Sequence, residues 1–125
     1  MINIKCISTG STRIVFLIGK YAIKIPRVIV QPDNKFYGRL HEFICGWKAN
    51  RTEYIWSKSN IYPFLNPVKI SLLFSIILIF DRSEELSRDE FFNLNEEDYN
   101  FGGYEHKIDS FGKINSEIKI IDYGN

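Results

Sequence analysis

Two charged residues sit in stretches that otherwise read as apolar strand. Lys24 closes Tyr21-Ala22-Ile23-Lys24, and Asp122 ends the run Ile118-Lys119-Ile120-Ile121 just before Tyr123-Gly124. A buried lysine is rare unless paired, and a carboxylate buried without a partner is costly. Both therefore call for partners. The helical stretch between them supplies two acids. Glu42, Gly46, Ala49 and Glu53 recur at i, i+4, i+7 and i+11, so they share one face. Only small residues separate the two glutamates on that line, which lets another element approach closely. Either Glu53 or Glu42 can then meet Lys24.

The distribution of charge points the same way. The net charge is +1, which argues against a dedicated nucleic-acid binder. Residues 1–58 nevertheless hold ten Lys or Arg against three acids, and residues 59–125 hold six against twelve. Such halves pair with one another, or they build an anion site on one side and a metal or cationic partner on the other. Zinc is a poor candidate. Cys6 and Cys45 are the only cysteines and His41 and His106 the only histidines, with no Cys-x-x-Cys spacing. Both thiols lie in apolar stretches and read as buried and reduced, hence a cytoplasmic protein. Met1–Gly10 has no apolar core of a signal peptide. The longest apolar run, residues 70–80, is broken by serines and too short to span a bilayer.

At 125 residues the chain is one domain by length, able to bury a core rich in its aromatic residues. The elements that position the charged residues follow from local pattern. Residues 2–8, 13–18 and 21–25 read as a three-strand antiparallel meander. Thr9-Gly10-Ser11-Thr12 forms the first turn, Gly19-Lys20 the second, and Pro26 the end. Pro32-Asp33-Asn34 marks a loop. Residues 38–58 turn helical, with Leu40, Phe43, Ile44, Trp47, Tyr54 and Ile55 as apolar positions. Residues 68–80 hold one or two buried strands with no clean turn between them. Residues 86–94 form a short helix, with Ser87 and Glu90 as a capping box. Residues 95–103 are an acidic loop, and 111–122 a hairpin turning at Asn115-Ser116. The class is α+β: a curled antiparallel sheet packed on one long helix, with a small appended hairpin.

In this order the motifs resemble the protein-kinase-like superfamily. Tyr21-Ala22-Ile23-Lys24 is similar to its Val-Ala-Ile-Lys strand, and Asp122-Tyr123-Gly124 to its Asp-Phe-Gly. Glu105-His106-Lys107-Ile108-Asp109-Ser110 matches the spacing of its catalytic loop, with Glu105 in place of the Asp and Ser110 in place of the Asn. Thr9-Gly10-Ser11-Thr12 stands where these folds cover the phosphates, with one glycine instead of three. The resemblance implies a single domain over 1–125. Residues 1–81 are then like a nucleotide lobe, and 82–125 a reduced linker plus catalytic hairpin. The helical lobe that binds an acceptor is missing.

The resemblance further implies roles. Gly10, Ser11, Thr12 and Lys24 would meet the phosphates of ATP, with Glu53 orienting Lys24. Asp122 and Ser110 would bind Mg²⁺, and Glu105 and Asp109 would serve catalysis. Glu105, Asp109 and Asp122 would converge in one cleft and repel one another until a cation enters. Two functions follow. One is a minimal kinase-like domain that binds ATP and Mg²⁺ with weak or no phosphotransfer. The other is a catalytically dead protein-interaction module on the same scaffold, with a protein partner covering the place of the missing lobe. An unrelated small α+β domain is the third reading.

Overall fold

The structure is a computed structural model that describes residues 4–7, 12–27 and 36–124, with the backbone alone for 36–39. Its elements run β1 (Ile4–Ile7), β2 (Arg13–Ile18), β3 (Tyr21–Pro26), α1 (Phe36–Ser59), β4 (Val68–Leu72), β5 (Ile77–Asp81), α2 (Arg88–Phe92), β6 (Phe111–Ile114) and β7 (Glu117–Ile120). Short 3₁₀ turns occupy Glu96–Tyr99 and Ile108–Ser110. Strands β1 to β5 form one antiparallel, open sheet in the order β1-β2-β3-β5-β4, and β6 and β7 pair as a separate hairpin. The architecture is therefore α+β, one five-stranded sheet with one long helix.

Local chemistry sets most of the turns. Gly19 takes φ +56° at the first position of the β2–β3 turn, a conformation that costs glycine little. Asn115 and Ser116 take φ +51° and +68° between β6 and β7, the twist a two-residue hairpin needs. Ser87 caps α2: its hydroxyl accepts from the Glu90 N–H, and the Glu90 carboxylate accepts from the Ser87 N–H. The β4–β5 turn is different. It is made by Leu73-Phe74-Ser75-Ile76, and Leu73, Phe74 and Ser75 all hold positive φ with no glycine among them. Left-handed residues with a Cβ cost about 1 kcal/mol or more each. This turn carried no signal in its residue types.

The face of α1 against the sheet is the small-residue line. A Cβ built on Gly46 would clash with the Thr12 carbonyl oxygen and stand 2.7 Å from Pro26 Cα. One on Gly124 would stand 2.8 Å from the Ala49 carbonyl oxygen. So β2 and β3 close on the helix at Gly46, and the chain end closes on it at Ala49. The expected apolar positions divide: Phe43, Ile44 and Tyr54 are half-buried, and Tyr54 packs against the core. Leu40, Trp47 and Ile55 are exposed, while Asn50 and Glu53 are buried. The reason is spacing: at 100° per residue, positions 40, 47 and 55 centre about 130° round the helix from 46, 50 and 53.

The apolar core lies instead between the sheet and the hairpin. Leu65, Leu78, Phe80, Phe111, Ile120 and Tyr123 are its buried centre, ringed by Trp56, Phe64, Phe91, Tyr99 and Tyr104. Residues 65 and 120 form a parallel bridge, and residues 84 and 113 an antiparallel one, which tie β6 and β7 to the rest. Gly46→Ala reports on the close approach directly. In an exposed helix that change stabilises by about 1 kcal/mol. Here it should destabilise by roughly 1–3 kcal/mol, because backbone atoms would have to move. Urea unfolding of the variant checks the sign.

Candidate functional site

Four charged side chains meet between α1, the sheet and the chain end. Strand alternation places Arg13 on the same face of β2 as Val15. Val15 faces Lys24 across the β2–β3 ladder, and Leu78 flanks Lys24 on β5. Both cations therefore point toward α1. Asn50 and Glu53, one helical turn apart, meet them from below. Asp122 enters from the end of β7.

The contacts form a closed set. Lys24 Nζ donates to Glu53 Oε1 at 3.0 Å, to Oε2 at 3.1 Å and to the Ile121 carbonyl at 2.6 Å. Arg13 Nη1 lies 2.9 Å from Glu53 Oε2 and donates to Asn50 Oδ1 at 3.3 Å. Its Nη2 donates to Asp122 Oδ1 at 2.6 Å. The Tyr123 N–H donates to Glu53 Oε1 at 3.2 Å. Asn50 Nδ2 returns bonds to the Lys24 and Ile76 carbonyls. Lys24 also lies over the Phe80 ring, 4.6 Å from its centroid. Two cations face two anions, and the set is neutral.

Burial grades the four. Glu53 is fully buried, Arg13 and Lys24 nearly so, and the Asp122 side chain is 40 % exposed. Burial would push the Glu53 carboxyl up, but Arg13 and Lys24 together hold it below the ordinary carboxylate range. The same burial pulls the Lys24 ammonium down. Glu53 opposes this and Arg13 adds to it, since two cations share one acid. Arg13 loses to burial but gains more from Glu53 and Asp122, and its guanidinium is held above its ordinary value.

The sign for acid stability follows. A carboxyl lowered in the folded state stabilises fully above its ordinary value near 4.5, and that contribution is lost as pH falls through the lower native value. The wild-type melting temperature should therefore drop as pH falls below about 4.5, and Glu53→Gln should flatten that drop. A melting series across pH 2–7 reads it.

The residues singled out in the sequence divide into two groups. Lys24 and Glu53 come together with Asp122 beside them, and Glu42 stands apart from the set. Thr12 sits at the lip, its carbonyl accepting from the Arg27 N–H at 2.8 Å. Gly10 and Ser11 lie outside the described residues. Glu105 does not join the acids. It is exposed and pairs with Lys107 at 2.9 Å on the surface. Asp109 is exposed as well. The expected convergence of three acids is thus replaced by an ion pair: Arg13 answers the charge of Asp122. Among the described residues no three His, Cys, Asp or Glu side chains are grouped to hold a metal.

Ser110 is buried, and its hydroxyl has no hydrogen-bond partner among the described residues, while its carbonyl accepts from the Ile121 N–H at 2.8 Å. Lys107 is raised chiefly by Glu105 and to a smaller degree by the charges of Asp122 and Asp109, so this loop lies within electrostatic reach of the site. The thiols differ from expectation. Cys6 is exposed and Cys45 half-buried, because β1 is an edge strand and residue 45 lies off the sheet-facing side of α1.

Sequence reasoning missed Arg13 and Asn50. An arginine at the mouth of a strand reads as solvent-facing. The usable signal was its position two residues before Val15, the residue opposite Lys24. For Asn50 the usable signal was its place one helical turn after Gly46 and three residues before Glu53. Tyr123 was passed over too. It is fully buried, with its hydroxyl donating to the Asn66 carbonyl at 2.6 Å. Burial pushes that phenol well above its usual range.

No protein-family model matches the chain, and no match was found among the curated proteins or among the solved structures. No helix among the described residues is long and apolar enough to cross a membrane.

Proposed function

We propose that this chain is a kinase-like domain used as a protein-interaction module, in which the nucleotide machinery has become an internal clasp. The kinase-like part of the reading draws on the order of elements. A meander carries a lysine on its third strand. A helix follows with the acid that grips that lysine, then two strands, a hairpin and Asp122-Tyr123-Gly124. In protein kinases the strand lysine pairs with a helix glutamate, and the Asp after the hairpin holds Mg²⁺.

The single observation that carries the non-catalytic part is the 2.6 Å bond from Arg13 to Asp122. The carboxylate that would hold a metal already has a cation. Glu53 shares itself between Lys24 and that same arginine. As placed, these residues do not fit a metal with nucleotide phosphates, and Glu105 faces solvent on a lysine instead of a substrate.

A second reading keeps one observation of its own. The Lys24–Glu53 pair is intact, as nucleotide binding in such folds requires. On that reading the chain binds ATP and Mg²⁺ with slow or absent phosphotransfer. Thermal melting with ATP and MgCl₂, separately and together, decides between them. A ligand that binds the folded state at a hundredfold its Kd stabilises by about 2.7 kcal/mol. The clasp reading expects an unchanged midpoint in all conditions. A rise that needs both ATP and Mg²⁺ establishes the second reading instead.

A further inference from the structure

The outer side of α1 carries apolar and cationic residues without any acid among them. Leu40, Trp47 and Ile55 are exposed there, interleaved with Lys48, Arg51 and Lys58. At 100° per residue these six fall within one side of the helix. The β4–β5 turn extends the patch. Trp47 Nε1 donates to the Phe74 carbonyl at 2.7 Å, which fastens that turn to the helix. The left-handed backbone there holds Leu73 and Phe74 outward, and Phe74 is 84 % exposed. Single exposed apolar residues are ordinary, but a joined patch of this kind marks an interaction site. Lys48 and Arg51 have no acidic partner among the described residues, so their charge is available.

The same chain carries a complementary face. Residues 84–98 include exposed Glu84, Glu85, Asp89, Glu97 and Asp98. Phe92 stands out at 77 % exposure at the end of α2. One face is apolar and cationic, while the 84–98 stretch exposes these acids, one cation (Arg88) and a projecting aromatic ring.

We propose that α1 with the β4–β5 turn docks the acidic α2 face of a second copy of this chain. Trp47 and Phe74 receive Phe92, while Lys48 and Arg51 meet Asp89 and Glu97. The contact joins unlike patches, so each copy carries both halves of the interface. It rests on the reading of the chain as an interaction module, but not on the internal clasp, whose acid on α1, Glu53, is buried on the sheet-facing side of that helix. Nucleotide melting and self-association therefore succeed or fail separately.

Analytical ultracentrifugation of the full chain between about 1 and 200 μM, the range where modest interfaces populate complexes, is the test. The average mass should rise above 14.7 kDa with concentration. Association should weaken in about 1 M NaCl, where the screening length is only about 3 Å. Lys48→Glu with Arg51→Glu, and separately Asp89→Lys with Glu97→Lys, should each weaken association about tenfold or more. All four positions are exposed, so circular dichroism should show unchanged folding. Mixing the two reversed proteins should restore association, because the unaltered α1 face of one then meets the unaltered α2 face of the other. The proposal is overturned if wild type stays at monomer mass throughout, or if the mixture fails to associate. A monomer that sediments with vesicles of anionic phospholipid would overturn it in favour of a membrane-facing patch.

Discussion

Glu53→Ala is expected to lower the unfolding free energy by about 3–5 kcal/mol, the usual result of removing one member of a buried charge set. Lys24 and Arg13 would then face each other with no acid between them. Lys24 would retain only the Ile121 carbonyl and the Phe80 ring, and Arg13 would lean on the half-exposed Asp122. The Tyr123 N–H would lose its acceptor too, loosening the strap that holds the chain end. For a chain of this length the melting temperature should fall by roughly 10–20 °C. Glu53→Gln, which keeps the shape, should cost less. Replacing Arg13, Lys24 and Glu53 together by methionine should recover most of the loss, since apolar replacement of buried ion sets is often neutral or better. A loss below about 1 kcal/mol for Glu53→Ala would mean that the carboxylate is solvated rather than enclosed.

This expectation also explains which parts of the fold were legible beforehand. Features governed by neighbouring residues could be read. Gly19 turns β2 into β3, Asn115-Ser116 turns β6 into β7, and Ser87 with Glu90 opens α2. The small-residue line of α1 could be read because only close approach makes sense of Gly46 and Ala49 between two acids. That Lys24 pairs with an acid of α1 followed from the rule that a buried lysine must find one, though the rule left Glu53 and Glu42 both open.

What could not be read depends on long-range contacts. Arg13 and Asp122 are 109 positions apart, and nothing near either announces the other. The turn at Leu73–Ile76 uses apolar residues in left-handed conformations that local chemistry disfavours, so residues 68–80 looked like buried strand. In the structure most of β4 is exposed, as befits an edge strand. Glu105 and Asp109 were placed at the site by spacing alone. Spacing does not say which way a short loop turns its side chains, and these face water. The apolar positions of α1 were legible as a stripe, but whether a stripe faces the core or a partner depends on what else the sheet can accept. Here the sheet accepted the charged set.

Arg13→Ala offers the sharpest separation of clasp from nucleotide site. In wild type the guanidinium neutralises Asp122 and half of Glu53, and it is itself buried. Its loss should destabilise the chain by about 2–4 kcal/mol, less than Glu53→Ala, because Lys24 still answers Glu53 and water still reaches Asp122. The same change removes one positive charge from the site and leaves Asp122 without its cation. A divalent ion with attached phosphates can then take that place, since Lys24 remains poised on Glu53. The variant, unlike wild type, is therefore expected to gain thermal stability from ATP and MgCl₂ together, and little from either alone. The two effects have opposite signs: a lower midpoint without ligand and a ligand-dependent rise. Arg13→Lys should sit between them, since an ammonium can meet one carboxylate but cannot span both as the planar guanidinium does. If Arg13→Ala is destabilised and remains indifferent to ATP and MgCl₂, the four charges serve the fold alone, and the likeness to a nucleotide site ends at the Lys24–Glu53 pair.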